Sequence, residues 1–248
     1  MDKYGLIGFP LGHSFSRRFF TEKFAREGID AVYENYEIAE AEQLLEVVRD
    51  NPGLRGLNCT IPHKQAIIPL LDELSEEARE IGAVNVIRIR RDAEGRTILK
   101  GFNTDVIGFT DSIKPLLSSN HHKALVLGTG GASRSIYYGL TKLGLEWQLV
   151  SRKKRPGVLC YEELVPDLIK EHTVIVNCSP VGMFPHVDEA PFLPYDSIGK
   201  EHILFDLIYN PEETLFLQKG AQRGATVKNG LEMLHLQAIA GWEIWNEE

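Results

Sequence analysis

Cysteine is scarce in this sequence, long apolar runs are missing, and positive charge is not in surplus. Each shortage argues against a class of protein. Its three cysteines, Cys59, Cys160 and Cys178, show no paired spacing, which argues against a disulfide framework or a zinc site and suits a reducing cytoplasm. No apolar stretch approaches the roughly 20 residues that a membrane-spanning helix needs, and residues 1–10 lack the apolar core of a secretory signal. A net charge of −8 speaks against general nucleic-acid binding. The neighbouring His121 and His122 lie between Ser/Asn residues and an apolar run and read as a surface turn rather than a metal site. No internal repeat or low-complexity segment is present. What remains is 248 residues, 43% hydrophobic and 25% charged, enough to bury the core of one large α/β domain or two smaller ones.

The most informative stretch is KALVLGTGGASRS, residues 123–135. Four apolar residues run into Gly128, Gly130 and Gly131, and Ala132 and Ser133 open a helical pattern. A buried strand, a tight glycine turn and a helix N-terminus together hold a dinucleotide pyrophosphate: glycine lets the backbone approach the anion, and the first helical N–H groups point at it. The bland alternative is a plain strand-to-helix turn. Residues 147–150 read as the next strand. An NAD site would place an acid at its end to hold the ribose 2′-hydroxyl, but the strand runs into Ser151, Arg152, Lys153, Lys154 and Arg155. Bases there suit a 2′-phosphate and indicate NADP, against the alternative of a solvated basic turn.

Elsewhere polar residues recur at expected strand ends. Residues 4–9 read as a strand entering GFPLGHSFS, where Ser14 and Ser16 could either cap the next helix or hold a polar ligand. Residues 54–57 lead into Asn58-Cys59-Thr60-Ile61-Pro62-His63-Lys64, and residues 98–102 into Asn103-Thr104-Asp105. Residues 70–81 read as helical, followed by Gly82-Ala83-Val84-Asn85 and a strand to Ile89, a turn at residues 92–95 and the returning strand 98–102. A helix is expected from Glu212, and residues 231–245 as an amphipathic helix containing Gln237. Three polar strand endings in one half point to a shared cleft, and the strand–helix alternation to doubly wound parallel sheets.

In chain order, GFPLGHSFS, NCTIPHK, GAVN, GFNTD, GTGGAS, SRK, NCSPVGM, DLIYNPEET and NGLEMLHLQ resemble the shikimate dehydrogenase family over nearly the whole chain. The resemblance implies two α/β domains facing across a cleft: a substrate-binding domain of residues 1–103 plus 231–248, and a Rossmann-like NADP-binding domain of residues 104–230. It implies NADPH-dependent, reversible reduction of 3-dehydroshikimate to shikimate, a step of chorismate and aromatic amino-acid biosynthesis, in the cytoplasm. Partners would be the small-molecule substrate and NADP(H), with no nucleic acid and no membrane; a homodimer is compatible with the sequence.

Residue by residue, the resemblance places Lys64 and Asp105 as the catalytic pair. Ser14, Ser16, Thr60, Asn85, Tyr209 and Gln237 would contact substrate. The pyrophosphate would lie on Gly128, Gly130, Gly131, Ala132 and Ser133, and the 2′-phosphate on Ser151, Arg152 and Lys153. Met183, Ile208 and Gly230 would lie near the nicotinamide, and Glu76 is an acidic position grouped with the cofactor side. Lys64 as an ammonium can stabilise the developing alkoxide and donate to it, with Asp105 orienting it and the substrate hydroxyl; a lysine that only binds substrate is the alternative. The sequence departs from the family at Arg17, where proline is usual, at Cys59, Cys178 and Lys153, and in a short segment 155–171. Two other readings share the fold: a quinate/shikimate dehydrogenase with relaxed cofactor use, and a non-catalytic NADPH-binding sensor.

Overall fold

A computed structural model describes residues 1–12 and 15–247. By internal contacts the chain divides into two units, Met1–Thr104 with Ala238–Glu248, and Asp105–Gln237.

The first unit contains β1 (Asp2–Gly8), α1 (Phe15–Glu27), β2 (Ala31–Glu37), α2 (Gln43–Asp50), β3 (Leu54–Cys59), β4 (Glu73–Leu74), α3 (Glu76–Ile81), β5 (Val86–Arg91) and β6 (Thr97–Phe102). Its sheet runs β2-β1-β3-β5-β6-β4. Period-2 alternation covers both faces: Ile7, Ile87 and Ile89 pack with Leu44, Val48 and Ala78, while Tyr4, Leu6 and Val86 pack with Phe20, Phe24 and Trp245. A register irregularity in the β1–β3 pairing inserts Arg55, so Leu54 and Leu57, three apart, join the same core cluster. The chain's C-terminal end is held here by Trp245, whose indole N–H donates to the Ile87 carbonyl (3.0 Å) within a cluster of aromatic rings.

The second unit contains α4 (Asp105–Ile113), β7 (Lys123–Leu127), α5 (Gly131–Lys142), β8 (Glu146–Ser151), β9 (Val158–Cys160), α6 (Pro166–Glu171), β10 (Val174–Asn177), β11 (Ile203–Asp206), α7 (Leu215–Gln222), β12 (Thr226–Lys228) and the start of α8 (Leu231–Asn246). The order β12-β11-β10-β7-β8-β9 is parallel throughout. Ala124, Val126, Val174, Val176, Ile203 and Phe205 pack on one side against Phe109, Ile136 and Leu140. Leu125, Leu127, Ile175 and Leu204 pack on the other against Ile169, Phe216 and Leu217. Such a doubly wound sheet binds ligands at its carboxyl edge, where strand order reverses, here around β7.

Three expectations need correction. The first sheet is mixed rather than parallel: a tight turn joins β5 and β6 as an antiparallel hairpin, and β5 also runs antiparallel to β3. The helix expected over residues 70–81 is confined to α3. The Asp72 N–H donates to the Leu99 carbonyl, the Asp72 carboxylate accepts the Leu99 N–H, and the Ser75 N–H donates to the Gly101 carbonyl. These bonds draw the segment onto β6 as β4, and the Ser75 hydroxyl then caps α3 by accepting the Ala78 N–H. The helix expected from Glu212 begins at Leu215, where the Thr214 side chain supplies the cap.

Candidate active site

In the first unit the β5–β6 hairpin decides which side chains meet. Because β5 runs antiparallel to β3 and β6, its beginning lies at the sheet edge where β3 and β6 end: Val86 pairs with both Asn58 and Phe102. Asn85, which precedes a strand, therefore joins residues that follow strands. Its side-chain amide donates to the Thr104 hydroxyl (3.0 Å), and its oxygen accepts the Thr104 N–H (2.7 Å). The Asn103 amide donates to the Ala83 carbonyl (3.0 Å). Thr104 so held is followed directly by Asp105, which is buried at the first turn of α4.

The loop after β3 is secured on both sides. The Thr60 N–H donates to the Ile7 carbonyl, the Val84 N–H to the Lys64 carbonyl (2.7 Å), and buried His63 bonds through its ring to the Ile38 carbonyl (2.7 Å). With its backbone anchored and its neighbour His63 inside, Lys64 is half-buried at this edge. The Tyr33 hydroxyl donates to the Asn58 side chain (2.6 Å) and accepts from Ser16, and complete burial pushes that phenol well above its usual range. Ser16 lies within the first turn of α1 rather than before it. Ser14 lies outside the described residues. Glu76 is exposed in the first turn of α3.

In the second unit the turn after β7 is built mainly from backbone. Gly128 has φ +114°, where an L side chain is strained, and an added Cβ would stand 3.2 Å from the Cys178 backbone. The helix α5 starts from Gly130, which has no side chain to cap it, and a Cβ there would meet nothing within 4 Å. The Ser133 hydroxyl is turned inward onto the Gly130 carbonyl (2.6 Å). An uncapped helix start on an open glycine turn fits a dinucleotide pyrophosphate, with Gly131 and Ala132 half-buried at the same turn.

At the end of β8, Arg152 and Lys153 are exposed and Ser151 is half-buried. Lys154 is engaged by Glu163 (2.5 Å), whose carboxylate also accepts the Cys160 N–H (2.9 Å) and is held by Lys154 and Cys160 down to about 2. Arg152, Lys153 and Arg155 remain exposed bases at this strand end, a set that fits a 2′-phosphate. Met183 and Tyr209 are exposed on loops after β10 and β11, Ile208 and Gln237 are buried, and Gly230 accepts no Cβ, since one would fall 2.1 Å from the Leu207 carbonyl oxygen.

Sequence reading overlooked Thr104 as the partner of Asn85, and it overlooked Asp206. This carboxylate is wholly buried at the end of β11, and burial, outweighing three hydrogen bonds, pushes it up to about 6. A lone acid ending an apolar strand, ILFD, was the available signal. Among the described residues no group of His, Cys, Asp and Glu could hold a metal, the three cysteines are free, and no helix is long and apolar enough to cross a membrane.

A glycine-turn dinucleotide sheet, together with a second α/β unit that gathers polar side chains at its own strand ends, defines a two-domain nucleotide-dependent dehydrogenase. The model of the shikimate dehydrogenase substrate binding domain matches residues 6–87. Shikimate dehydrogenase (NADP(+)) of Aquifex aeolicus is 39% identical over 254 residues, covering 98% of this chain and 90% of that protein. The chain belongs to the shikimate dehydrogenase family. Among solved structures, shikimate 5-dehydrogenase of Thermus thermophilus in complex with NADP(H) and shikimate has a TM-score of 0.84 at 32% identity, covering 99% of this chain and 94% of that one. Quinate dehydrogenase of Corynebacterium glutamicum in complex with NAD has a TM-score of 0.86 at 28% identity, with 99% and 93% covered.

Proposed function

We propose that this chain interconverts 3-dehydroshikimate and shikimate with NADP(H), in the cytoplasm, with residues 1–103 and 231–248 as the substrate domain and residues 104–230 as the cofactor domain. The observation that carries this reading is near full-length similarity to NADP-dependent shikimate dehydrogenases, joined to a sheet edge that holds Thr60, Lys64 and Asn85 in place. The three free cysteines suit a reducing compartment.

Bound NADPH supplies the hydride for the ring ketone. Gly128, Gly130, Gly131, Ala132 and Ser133 would hold its pyrophosphate, Ser151, Arg152 and Lys153 its 2′-phosphate, and Met183, Ile208 and Gly230 would border the nicotinamide. Lys64 is the acid/base: as an ammonium it stabilises the developing alkoxide and donates a proton to it, and in the oxidative direction it takes that proton back. Asp105 accepts a ring hydroxyl and orients it. Thr60, Asn85, Tyr209 and Gln237 bind the ring, and Ser14 and Ser16 the carboxylate. The bonds of Asn85 to Thr104 and of Ser16 to Tyr33 fix the orientation of each side chain.

A quinate-oxidising, NAD-linked reading shares this fold. Arg152 and Lys153, in the place where an NAD site uses an acid, favour NADP. Purified protein assayed on shikimate and quinate with NADP+ and NAD+ separates the two. Fast NADP+-linked oxidation of shikimate alone is expected. Comparable rates on quinate or with NAD+ would move the chain to the relaxed class, and tight NADPH binding without turnover to a sensor.

A further inference from the structure

Asp206 and Asn177 face each other across the β10–β11 pairing, at the carboxyl ends of both strands. The Asp206 carboxylate, wholly buried, receives three donors. The Asn177 amide (3.0 Å) and the Ile208 N–H (3.1 Å) reach one oxygen, and the Thr214 hydroxyl (2.6 Å) reaches the other. Asn177 carries the connection into the next loop: its oxygen accepts the N–H (3.0 Å) and hydroxyl (2.7 Å) of Ser179, and its amide also approaches the Val181 carbonyl (3.4 Å). The Thr214 hydroxyl in turn accepts the Leu217 N–H at the start of α7. The same two loops meet again where the Phe184 N–H donates to the Asn210 carbonyl (3.3 Å). They carry Met183 and Tyr209 outward, and the Ile208 carbonyl accepts the Gly230 N–H.

We propose that Asp206 is a positioning residue for the nicotinamide end of the cofactor: as a carboxylate it locks the 177–183 and 206–214 loops into one frame. The inference rests on the NADP reading above. The Asn177 amide and the Ile208 N–H act only as donors to one oxygen, and a carboxylate charge strengthens both bonds; a protonated acid could keep the Thr214 bond by donating to that hydroxyl but would lose the charge that holds the other two. Burial raises the Asp206 carboxyl to about 6, so the frame is intact at neutral pH and loosens as pH falls through that value. The titratable groups facing it are the Cys178 thiol and the Tyr195 phenol. Burial, with the charge of Asp206 added, pushes both upward, so both stay neutral across this range.

The test compares NADP+ with 2′-phospho-ADP-ribose, which keeps every part of the cofactor except the nicotinamide. Titrating phosphates are common to both ligands, so the affinity ratio isolates the nicotinamide end. For wild-type protein the advantage of NADP+ over the fragment should fall about fourfold between pH 7.5 and 5.5, the loss of binding-competent protein implied by a group titrating near 6. In Asp206→Asn, NADP+ affinity should fall about tenfold, since the Asn177 and Ile208 donors now meet a neutral amide oxygen instead of a carboxylate. Fragment affinity should stay within about twofold and the pH dependence of the ratio should vanish. Equal losses for both ligands would make Asp206 merely structural and overturn the proposal, as would unchanged NADP+ affinity. If Asp206→Asn does not fold, the wild-type ratio decides, and a flat ratio overturns the proposal. Failure of wild type to bind either nucleotide would remove the cofactor reading and this inference with it. Failure to oxidise shikimate, with the ratio behaving as described, would remove only the substrate.

Discussion

The strand ends of the first unit and the turn after β7 in the second arrange polar chemistry by opposite means. In the first, side chains hold side chains: Asn85 is clamped to Thr104, and Tyr33 links Asn58 to Ser16. In the turn after β7, Gly128, Gly130 and Gly131 leave backbone uncovered by side chains, and the helix starts without a side-chain cap. On the proposed reading, the difference follows from what each would bind. A ring with several hydroxyls needs donors and acceptors at fixed angles, which side chains supply once their own free torsions are tied down. A pyrophosphate needs close approach of several N–H groups, which side chains would only obstruct.

Substitutions at the side-chain edge should therefore cost chemistry, and those on the cofactor edge should cost nucleotide affinity. The largest effect is expected from Lys64→Ala. Loss of an acid/base group lowers turnover by about 10²–10⁴-fold, while the NADP+ dissociation constant, read by titration, should hold within about twofold. Retention of near wild-type turnover would place the proton on another group. Next, Arg152→Ala should raise KM for NADP+ by about 10–100-fold through loss of charged hydrogen bonds and leave KM for NAD+ unchanged; an equal rise for both would mean that Arg152 does not read the 2′-phosphate.

Asn85→Ala tests whether the first edge is held by its own bonds. It leaves the buried Thr104 N–H without its acceptor, a loss of about 1–3 kcal/mol in urea unfolding, and should raise KM for shikimate with NADP+ affinity intact. The smallest effect belongs to Glu163→Gln. Lys154, and after it the Cys160 backbone N–H, hold the Glu163 carboxyl down to about 2. Its contribution to stability is thus present above the ordinary carboxylate range and lost as pH falls through about 2. The melting-temperature gap between wild type and variant should shrink from pH 5 to pH 2, with KM for NADP+ changed less than about twofold.

Much of the fold was legible because its signals are local. The apolar run 124–127 ends in glycines that only a tight turn uses, and the bases after Val150 stand where ribose recognition falls. The polar strand endings at residues 58–64 and 103–105 announced themselves by interrupting apolar pattern. The segment 70–74 reads as helix because Leu71, Leu74 and Ala78 have helical spacing, whereas Asp72 and Ser75 bond to β6, a strand some 25 residues further along. Asp206 went unassigned because a strand-ending acid carries no local mark of burial; its partners Asn177 and Thr214 are 29 and 8 residues away.

By itself, the sequence determined the α/β class, the dinucleotide turn, the family and which residue types stand at each strand end, since these depend on short-range pattern and on motifs read in order. The turn at residues 92–95 already marked the β5–β6 hairpin, but only the tertiary structure decided that β5 lies antiparallel beside β3, that Asn85 and Thr104 therefore bind one another, and that Asp206 ties two loops together. Hydrogen bonds of that kind depend on which strands lie side by side and in what register, and neighbours in a sheet are chosen by the packing of the whole unit rather than by adjacency along the chain.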